Sequence, residues 1–195
     1  YTRPDNERWS VAIVNDTFCF TNMNTPVQTY SGTGYASALT TTKAKYCIEY
    51  ANRLVLGNIW TSGGGYLPFT IKGSKENDPT NWTHNTAFET DLLDTEEVIT
   101  GLAKVGANLV VFKPESYSLW YRTGVATDPI KRQSWRQGIG CVAPYSIVNF
   151  QSTIAWIGRD DFYILNGDIP ESIGERIRHT FFDLVDITEI EKAWG

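Results

Sequence analysis

Val11-Ala-Ile-Val14 runs through a short turn into Asp16-Thr-Phe-Cys-Phe-Thr-Asn22, and the same pattern returns three times. The other copies are Cys47-Ile-Glu-Tyr50 into Asn52-Arg-Leu-Val-Leu-Gly-Asn58, Leu102-Ala-Lys-Val105 into Ala107-Asn-Leu-Val-Val-Phe-Lys113, and Ile147-Val-Asn-Phe150 into Ser152-Thr-Ile-Ala-Trp-Ile-Gly158. Within each copy the apolar residues alternate with period two, which is the signal of a β-strand. The matching residues Phe18, Leu54, Leu109 and Ile154 lie 36, 55 and 45 positions apart. A strand-built repeat of about 40–50 residues is the signature of propeller blades.

The connections support hairpins. Asn15-Asp16, Ala51-Asn52, Gly106-Ala107 and Gln151-Ser152 separate the paired runs, and Asn, Asp and Gly suit the positive φ of tight turns. A third strand follows in two copies, at Tyr117-Ser-Leu-Trp-Tyr121 and at Phe162-Tyr-Ile-Leu165, and Pro26-Val-Gln-Thr-Tyr30 fills this place in the first. The fold class expected is therefore all-β: a propeller or propeller segment with about four recognisable blades, hairpins near 11–22, 47–58, 102–113 and 147–158, and residues 1–195 forming a single region. Thr61-Ser-Gly-Gly-Gly-Tyr66 and residues 73–83 read as a long irregular excursion. One helix is expected at about 172–184. There Ile173, Ile177, Phe181 and Leu184 share a face, and Ser172 with Glu175 forms a capping box. Ile187-Thr-Glu-Ile-Glu-Lys-Ala-Trp194 reads as the first strand or lead-in of a further unit.

Composition narrows the function classes. Seven Trp and ten Tyr against one Met favour aromatic strands over helices. A net charge of −5 gives no general attraction for nucleic acid or anionic membrane, and no apolar run reaches transmembrane length. The charge is blocky: residues 73–98 carry one Lys against seven acids, 99–159 seven Lys/Arg against two acids, and 160–195 three against nine. Alternating sign of this kind suits subunit contacts, where complementary fields set register; solvated faces account for it equally well. Cys19, Cys47 and Cys141 are widely spaced and odd in number, and read as reduced, buried structural thiols. With no initiator Met and no signal-peptide pattern at Tyr1-Thr-Arg-Pro-Asp5, the chain reads as a processed product or an excerpt of a longer polypeptide.

No constellation amounts to an active site. Gly32-Thr-Gly-Tyr-Ala-Ser37 is an incomplete dinucleotide fingerprint, and Gly63-Gly-Gly65 lacks the Lys-Ser/Thr of a phosphate loop. His84 and His179 stand 95 positions apart without a second ligand at metal spacing, and read as surface or helix-end residues. Asp91, Asp94, Glu96 and Glu97 lack the spacing of a calcium loop. Lys131-Arg132 with Trp135-Arg136 is a small basic–aromatic patch, read first as a loop meeting an acidic neighbour and second as a phosphate or base contact. The sequons Asn15-Asp-Thr17 and Asn81-Trp-Thr83 read as coincidental. No catalytic, cofactor-binding or metal-binding residue is assigned, no cofactor is expected, and the chain reads as a non-enzyme.

The order of segments resembles a known family. Arg53-Leu-Val-Leu-Gly-Asn58, Asn77-Asp-Pro-Thr-Asn-Trp-Thr83, Asp91-Leu92, Ile99-Thr-Gly-Leu-Ala103 and Asn108-Leu-Val-Val-Phe-Lys113 are similar to the propeller of short-tailed (podovirus) phage tail hub proteins. These are also called packaged-DNA stabilisation or head-completion proteins. Gly140-Cys-Val-Ala-Pro-Tyr-Ser-Ile147, Ile157-Gly-Arg-Asp-Asp-Phe-Tyr163 and Ile173-Gly174 continue the series. The resemblance implies a structural virion protein of the tail, assembled in the host cytoplasm. It further implies a ring, typically a hexamer, below the portal and adaptor that retains packaged DNA and holds fibres or a needle. Genomic DNA would pass nearby without specific binding, and no membrane is involved. Family members are usually far longer, and related propellers occur in nozzle and tail-tube proteins. The alternative is a glycan-binding propeller module of a receptor-binding tail protein, with Trp60, Tyr66 and Trp82 as its candidate aromatics.

Overall fold

A computed structural model describes residues 8–83 and 85–195; Tyr1–Asp5 and His84 lie outside the described residues. The protein is all-β and blade-like, built from four four-stranded antiparallel sheets. The first sheet holds β1 (Ser10–Val14), β2 (Thr17–Thr21), β3 (Gln28–Tyr30) and β4 (Ser37–Ala38), and the second β5 (Lys43–Tyr50), β6 (Arg53–Thr61), β7 (Gly65–Gly73) and β8 (Phe88–Asp91). The third holds β9 (Gly101–Val105), β10 (Asn108–Phe112), β11 (Ser116–Val125) and β12 (Asp128–Gln137). The fourth holds β13 (Val148–Phe150), β14 (Thr153–Ile157), β15 (Phe162–Leu165) and β16 (Pro170–Ser172). Every sheet is a meander in chain order, as short connections between antiparallel neighbours dictate.

The expected turns set the register. Asn15 and Asp16 (φ 46° and 61°) and Ala51 and Asn52 (52° and 57°) take the paired left-handed conformation of type I′ hairpins. Gly106 (55°) and Gln151 (58°) take the same region in the other two turns. The registers that follow place Ala12 opposite Cys19, Cys47 opposite Leu56, Ala103 opposite Val110 and Val148 opposite Ala155.

Contacts divide the chain, read from sequence as one region, into two compact units. One runs to Ile99 and takes in Thr123–Ile130; the other comprises Thr100–Arg122 and Lys131–Gly195. In the first unit, Ala12, Val14 and Cys19 pack on Cys47, Leu54, Leu56 and Ile59. Side-chain bonds tie the first sheet to β5: Thr21 Oγ1 donates to the Ala44 carbonyl (2.6 Å), and Ser10 Oγ accepts from the Cys47 N–H (2.9 Å) and donates to the Cys47 carbonyl (3.0 Å). In the second unit, Ala103, Val105, Val110, Phe112, Tyr117 and Leu119 pack on Ile154, Trp156, Tyr163 and Leu165. Trp156 centres this core, 4.9 Å from the Phe112 ring and 5.9 Å from Tyr163, and its indole N–H donates to the Gly140 carbonyl at 2.9 Å.

Four expectations need correction. Thr61–Tyr66 is not irregular: β6 and β7 continue through it as a hairpin pairing Thr61 with Gly65 and Trp60 with Tyr66. Residues 74–83 do run irregularly, as expected, and are held by the buried Arg53 guanidinium, which donates to the carbonyls of Ser74 (2.7 Å) and Thr86 (2.6 Å). The helix is shorter than 172–184: α1 covers Arg178–Leu184, starting after Ile177. Ser172 belongs to β16 and does not cap it, since its hydroxyl donates to Asp161 at 2.6 Å. Finally, Ile187–Lys192 is a 3-10 helix, not a strand. Asp186 caps it by accepting from the Thr188 N–H (2.9 Å) and hydroxyl (2.6 Å), and Ile190 buries against Ala143 and Ile157.

Candidate functional site

Most sequence candidates resolve into scaffold. Gly32 and Gly34 lie in an exposed bend at φ 93° and 75°, and Gly63–Gly65 form the β6–β7 turn. Asp91 ends β8 and accepts from the Thr70 hydroxyl at 2.5 Å, while Glu97 accepts from Thr95 at 3.1 Å. Among the described residues, no three His, Cys, Asp or Glu side chains gather as a metal-binding group. His179 is exposed on α1. The Asn15 side-chain amide donates to the Asn77 carbonyl at 3.0 Å, and the Asn81 amide oxygen accepts the Thr83 N–H at 3.0 Å, so both sequon asparagines serve local structure.

The basic–aromatic patch is a strand, not a loop. Lys131, Arg132, Trp135 and Arg136 all fall on β12 and are exposed. Part of this strand is engaged within the unit: Gln133 donates to Asp168 at 3.1 Å, and Arg136 lies close enough to Tyr117 to act on its hydroxyl. Burial is the larger influence there, and the Tyr117 pKa is raised. Of the aromatic candidates, Tyr66 is exposed and faces Trp60 across β6 and β7, with the Lys43 ammonium 5.2 Å from the Trp60 ring. Trp82 instead packs against the core of the first unit, and Trp120 is buried with its N–H on Ser118 (2.8 Å).

The three thiols are free and buried. Burial pushes their pKa values up, to about 11 for Cys19 and about 12 for Cys47 and Cys141. A thiol held in that range carries almost no thiolate, its nucleophilic form, at neutral pH.

The second unit carries two recesses that the sequence does not reveal. The polar one, about 440 Å³, gathers Glu115, Gly140, Arg159, Asp160 and Tyr163 from three separate stretches. Arg159 pairs with Glu115, and the Tyr163 hydroxyl donates to Asp160 at 2.9 Å. Burial first and the Asp160 carboxylate second push the Tyr163 pKa to about 12. Gly140 is required, because a Cβ there would stand 2.3 Å from the Lys113 carbonyl oxygen. Arg159 and Glu115 thus neutralise one another and Asp160 is held by the Tyr163 hydroxyl, which suits holding the loops together better than activating a substrate.

The apolar recess, about 550 Å³, lies along α1 between Ile177, Phe181, Leu184 and Val185. Ile173 and Ile177, expected on a buried helical face, are half exposed, and Leu184 is exposed. The packed side of α1 carries Phe181 and Phe182, with ring centroids 5.0 and 6.1 Å from Phe162. Beneath them Asp161 is buried and anchored. Burial opposes its charge, but the Ser172 hydroxyl (2.6 Å), the Phe162 N–H (2.8 Å) and Arg178 (3.0 Å) outweigh it and hold its carboxyl below the usual range.

The sequence matches no family model and no curated protein. Solved structures do match. Two structures of the extracellular domain of BT4673 from B. thetaiotaomicron, described once as a hybrid two component system and once as a one component system, superpose with a TM-score of 0.54 at 10% and 9% identity. The likeness is one of fold. They cover 91% of this chain, which itself spans 24% of theirs, about a quarter of their length.

Proposed function

We propose that the chain is a non-enzymatic structural module of a bacteriophage tail hub or head-closure protein, linking the portal–adaptor to distal tail parts and helping to retain packaged DNA. The observation that carries this reading is the ordered series of hub-like segments, which fall on the repeating blade-like sheets. Arg53–Asn58 lies in β6, Ile99–Ala103 leads into β9, Asn108–Lys113 spans β10, and Ile157–Tyr163 joins β14 to β15. Blade-like sheets protect their edges and present loops, a suitable scaffold for a crowded assembly. Buried thiols and the Arg159–Glu115 ion pair add support, as do the sign-alternating charge blocks, which suit contacts between neighbouring subunits. An acidic balance favours passage of DNA over its retention on the wall.

The test is native mass spectrometry or imaging of purified tails. The expected result is a ring of defined symmetry, probed for six copies, bound to portal or adaptor proteins. A soluble monomer with no affinity for tail proteins overturns the proposal. The Trp60–Tyr66 pair, of which Tyr66 is exposed, favours a second reading, a glycan-binding module of a receptor-binding tail protein; retention on a glycan array that Tyr66→Ala abolishes would select it.

A further inference from the structure

Asn166-Gly167 is the one Asn-Gly pair in the chain. It lies between β15 and β16, where Leu165 opposite Pro170 is the last paired position and residues 166–169 form the turn. All four turn residues are exposed. An Asn-Gly pair commonly closes a two-residue hairpin, locked by positive φ at both positions. Here the turn is longer, and only Gly167 (φ 95°) is left-handed. Among the described residues, nothing accepts from the Gly167 N–H and nothing bonds the Asn166 side-chain amide. A Cβ at position 167 would meet no atom within 4 Å, so the space around the Gly167 backbone is open. Two other exposed asparagines lack this combination. The Asn15 amide donates to the Asn77 carbonyl at 3.0 Å, and Asn85 precedes the β-branched Thr86, whose N–H is held by the Thr83 carbonyl at 3.1 Å.

We propose that Asn166 is a site of spontaneous deamidation through Gly167, and that the conversion loosens the tie between this turn and Tyr117 of the third sheet. Asparagine is a labile side chain, and a following glycine gives the backbone the freedom to fold back on it. The Gly167 backbone nitrogen attacks Cγ of Asn166 and closes a five-membered succinimide ring. The bond from Cγ to Nδ2 breaks, and ammonia leaves with the proton that the Gly167 nitrogen gives up. Water then opens the ring on either side. Opening at Cγ leaves aspartate; opening at the main-chain carbonyl leaves isoaspartate, whose main chain runs through Cβ and Cγ. The sum is one water consumed and one ammonia released, with no oxidant or reductant.

The position of the turn gives this chemistry a mechanical consequence. Asp168, two residues on, accepts from the Tyr117 hydroxyl through its carbonyl and from Gln133 through its carboxylate, both at 3.1 Å. An isoaspartyl link lengthens the main chain by one methylene just ahead of these contacts. Both products also add a carboxylate to residues 160–195, which already hold nine acids against three Lys/Arg. Displacing the Asp168 carbonyl takes an acceptor from the hydroxyl of Tyr117, a residue only 1% exposed, and a buried donor left unpaired is costly.

Peptide mapping by mass spectrometry tests it, on the full natural polypeptide kept folded at neutral to mildly alkaline pH. The expected result is conversion at Asn166 faster than at Asn85 by about tenfold or more, with isoaspartate outnumbering aspartate. Asn166→Gln keeps the amide but must close a six-membered ring, and should remove the conversion at this position. Amide hydrogen exchange at residues 167–169 should rise about tenfold in aged protein and stay at its fresh level in the aged Gln variant. Conversion at Asn166 no faster than at Asn85, or seen only after unfolding, overturns the assignment of the site. Conversion that leaves exchange at residues 167–169 unchanged overturns the loosening of Asp168 from Tyr117.

Discussion

The first and fourth sheets are built to one pattern and end in opposite ways. In the fourth, one end of the face turned away from the Trp156 core is roofed by α1 and the 3-10 helix, with Phe162 under Phe181 and Phe182 and Ile157 under Ile190, while Phe150 at its other end is exposed. In the first, the face turned away from its core carries Val11 and Ile13 bare. The comparison separates what the repeat fixes from what its surroundings add. Alternation of apolar residues makes each sheet two-faced, but whether the second face is finished depends on chain elsewhere.

The largest way to break this comparison is to truncate equivalent aromatics. Trp156→Ala, at a position 2% exposed among three aromatic rings, should cost about 3–5 kcal/mol in denaturant unfolding. Phe20 holds the same repeat position but is only half-buried, so Phe20→Ala should cost less, about 1–2 kcal/mol. Equal losses would mean that the first sheet is covered as well as the fourth.

The roof over the fourth sheet depends on Asp161. Asp161→Ala removes the acceptor of the Ser172, Phe162 and Arg178 bonds and should cost about 2–4 kcal/mol, read by the same unfolding curves, with half-exposed Arg178 supplying the smaller share. A milder version uses pH. The folded-state pKa of Asp161 is depressed below its ordinary 3.8, so its contribution is in full force above about pH 4 and is lost as pH falls through the folded value. Asp161→Asn should therefore flatten the fall in stability below pH 4, and an unchanged slope would show that other carboxylates dominate. The smallest effect expected is chemical: native protein should leave all three thiols unlabelled by a disulfide reagent at neutral pH, with three released on unfolding.

Much of the fold was legible because its determinants are local. Asn15-Asp16 and Ala51-Asn52 announce left-handed turns, and the flanking alternation fixes which residues face inward. The fourth strand of each sheet was not legible. Ser37–Ala38 is two residues long, Phe88–Asp91 is half polar, and Asp128–Gln137 hides its pairing under charged side chains that read as a patch. Residues 172–177 look helical by spacing, yet the buried Asp161 draws Ser172 away, and a long-range bond outweighs a local cap. The two recesses escaped notice for the same reason: residues 115, 140 and 159–163 meet only after folding, and Ile177, just ahead of α1, is exposed rather than buried.

The meander connectivity has a consequence for how the molecule is made. Each strand pairs with the one just before it, so a sheet needs nothing from chain not yet synthesised. A ribosome adding about 5–20 residues per second takes seconds to deliver one repeat, whereas a hairpin closes in about 1–10 μs. Every sheet can therefore zip up while the next is still being translated, and the order of the sequence becomes the order of assembly. Only the helical roof on the fourth sheet must await residues that follow it, Arg178–Leu184 and Ile187–Lys192.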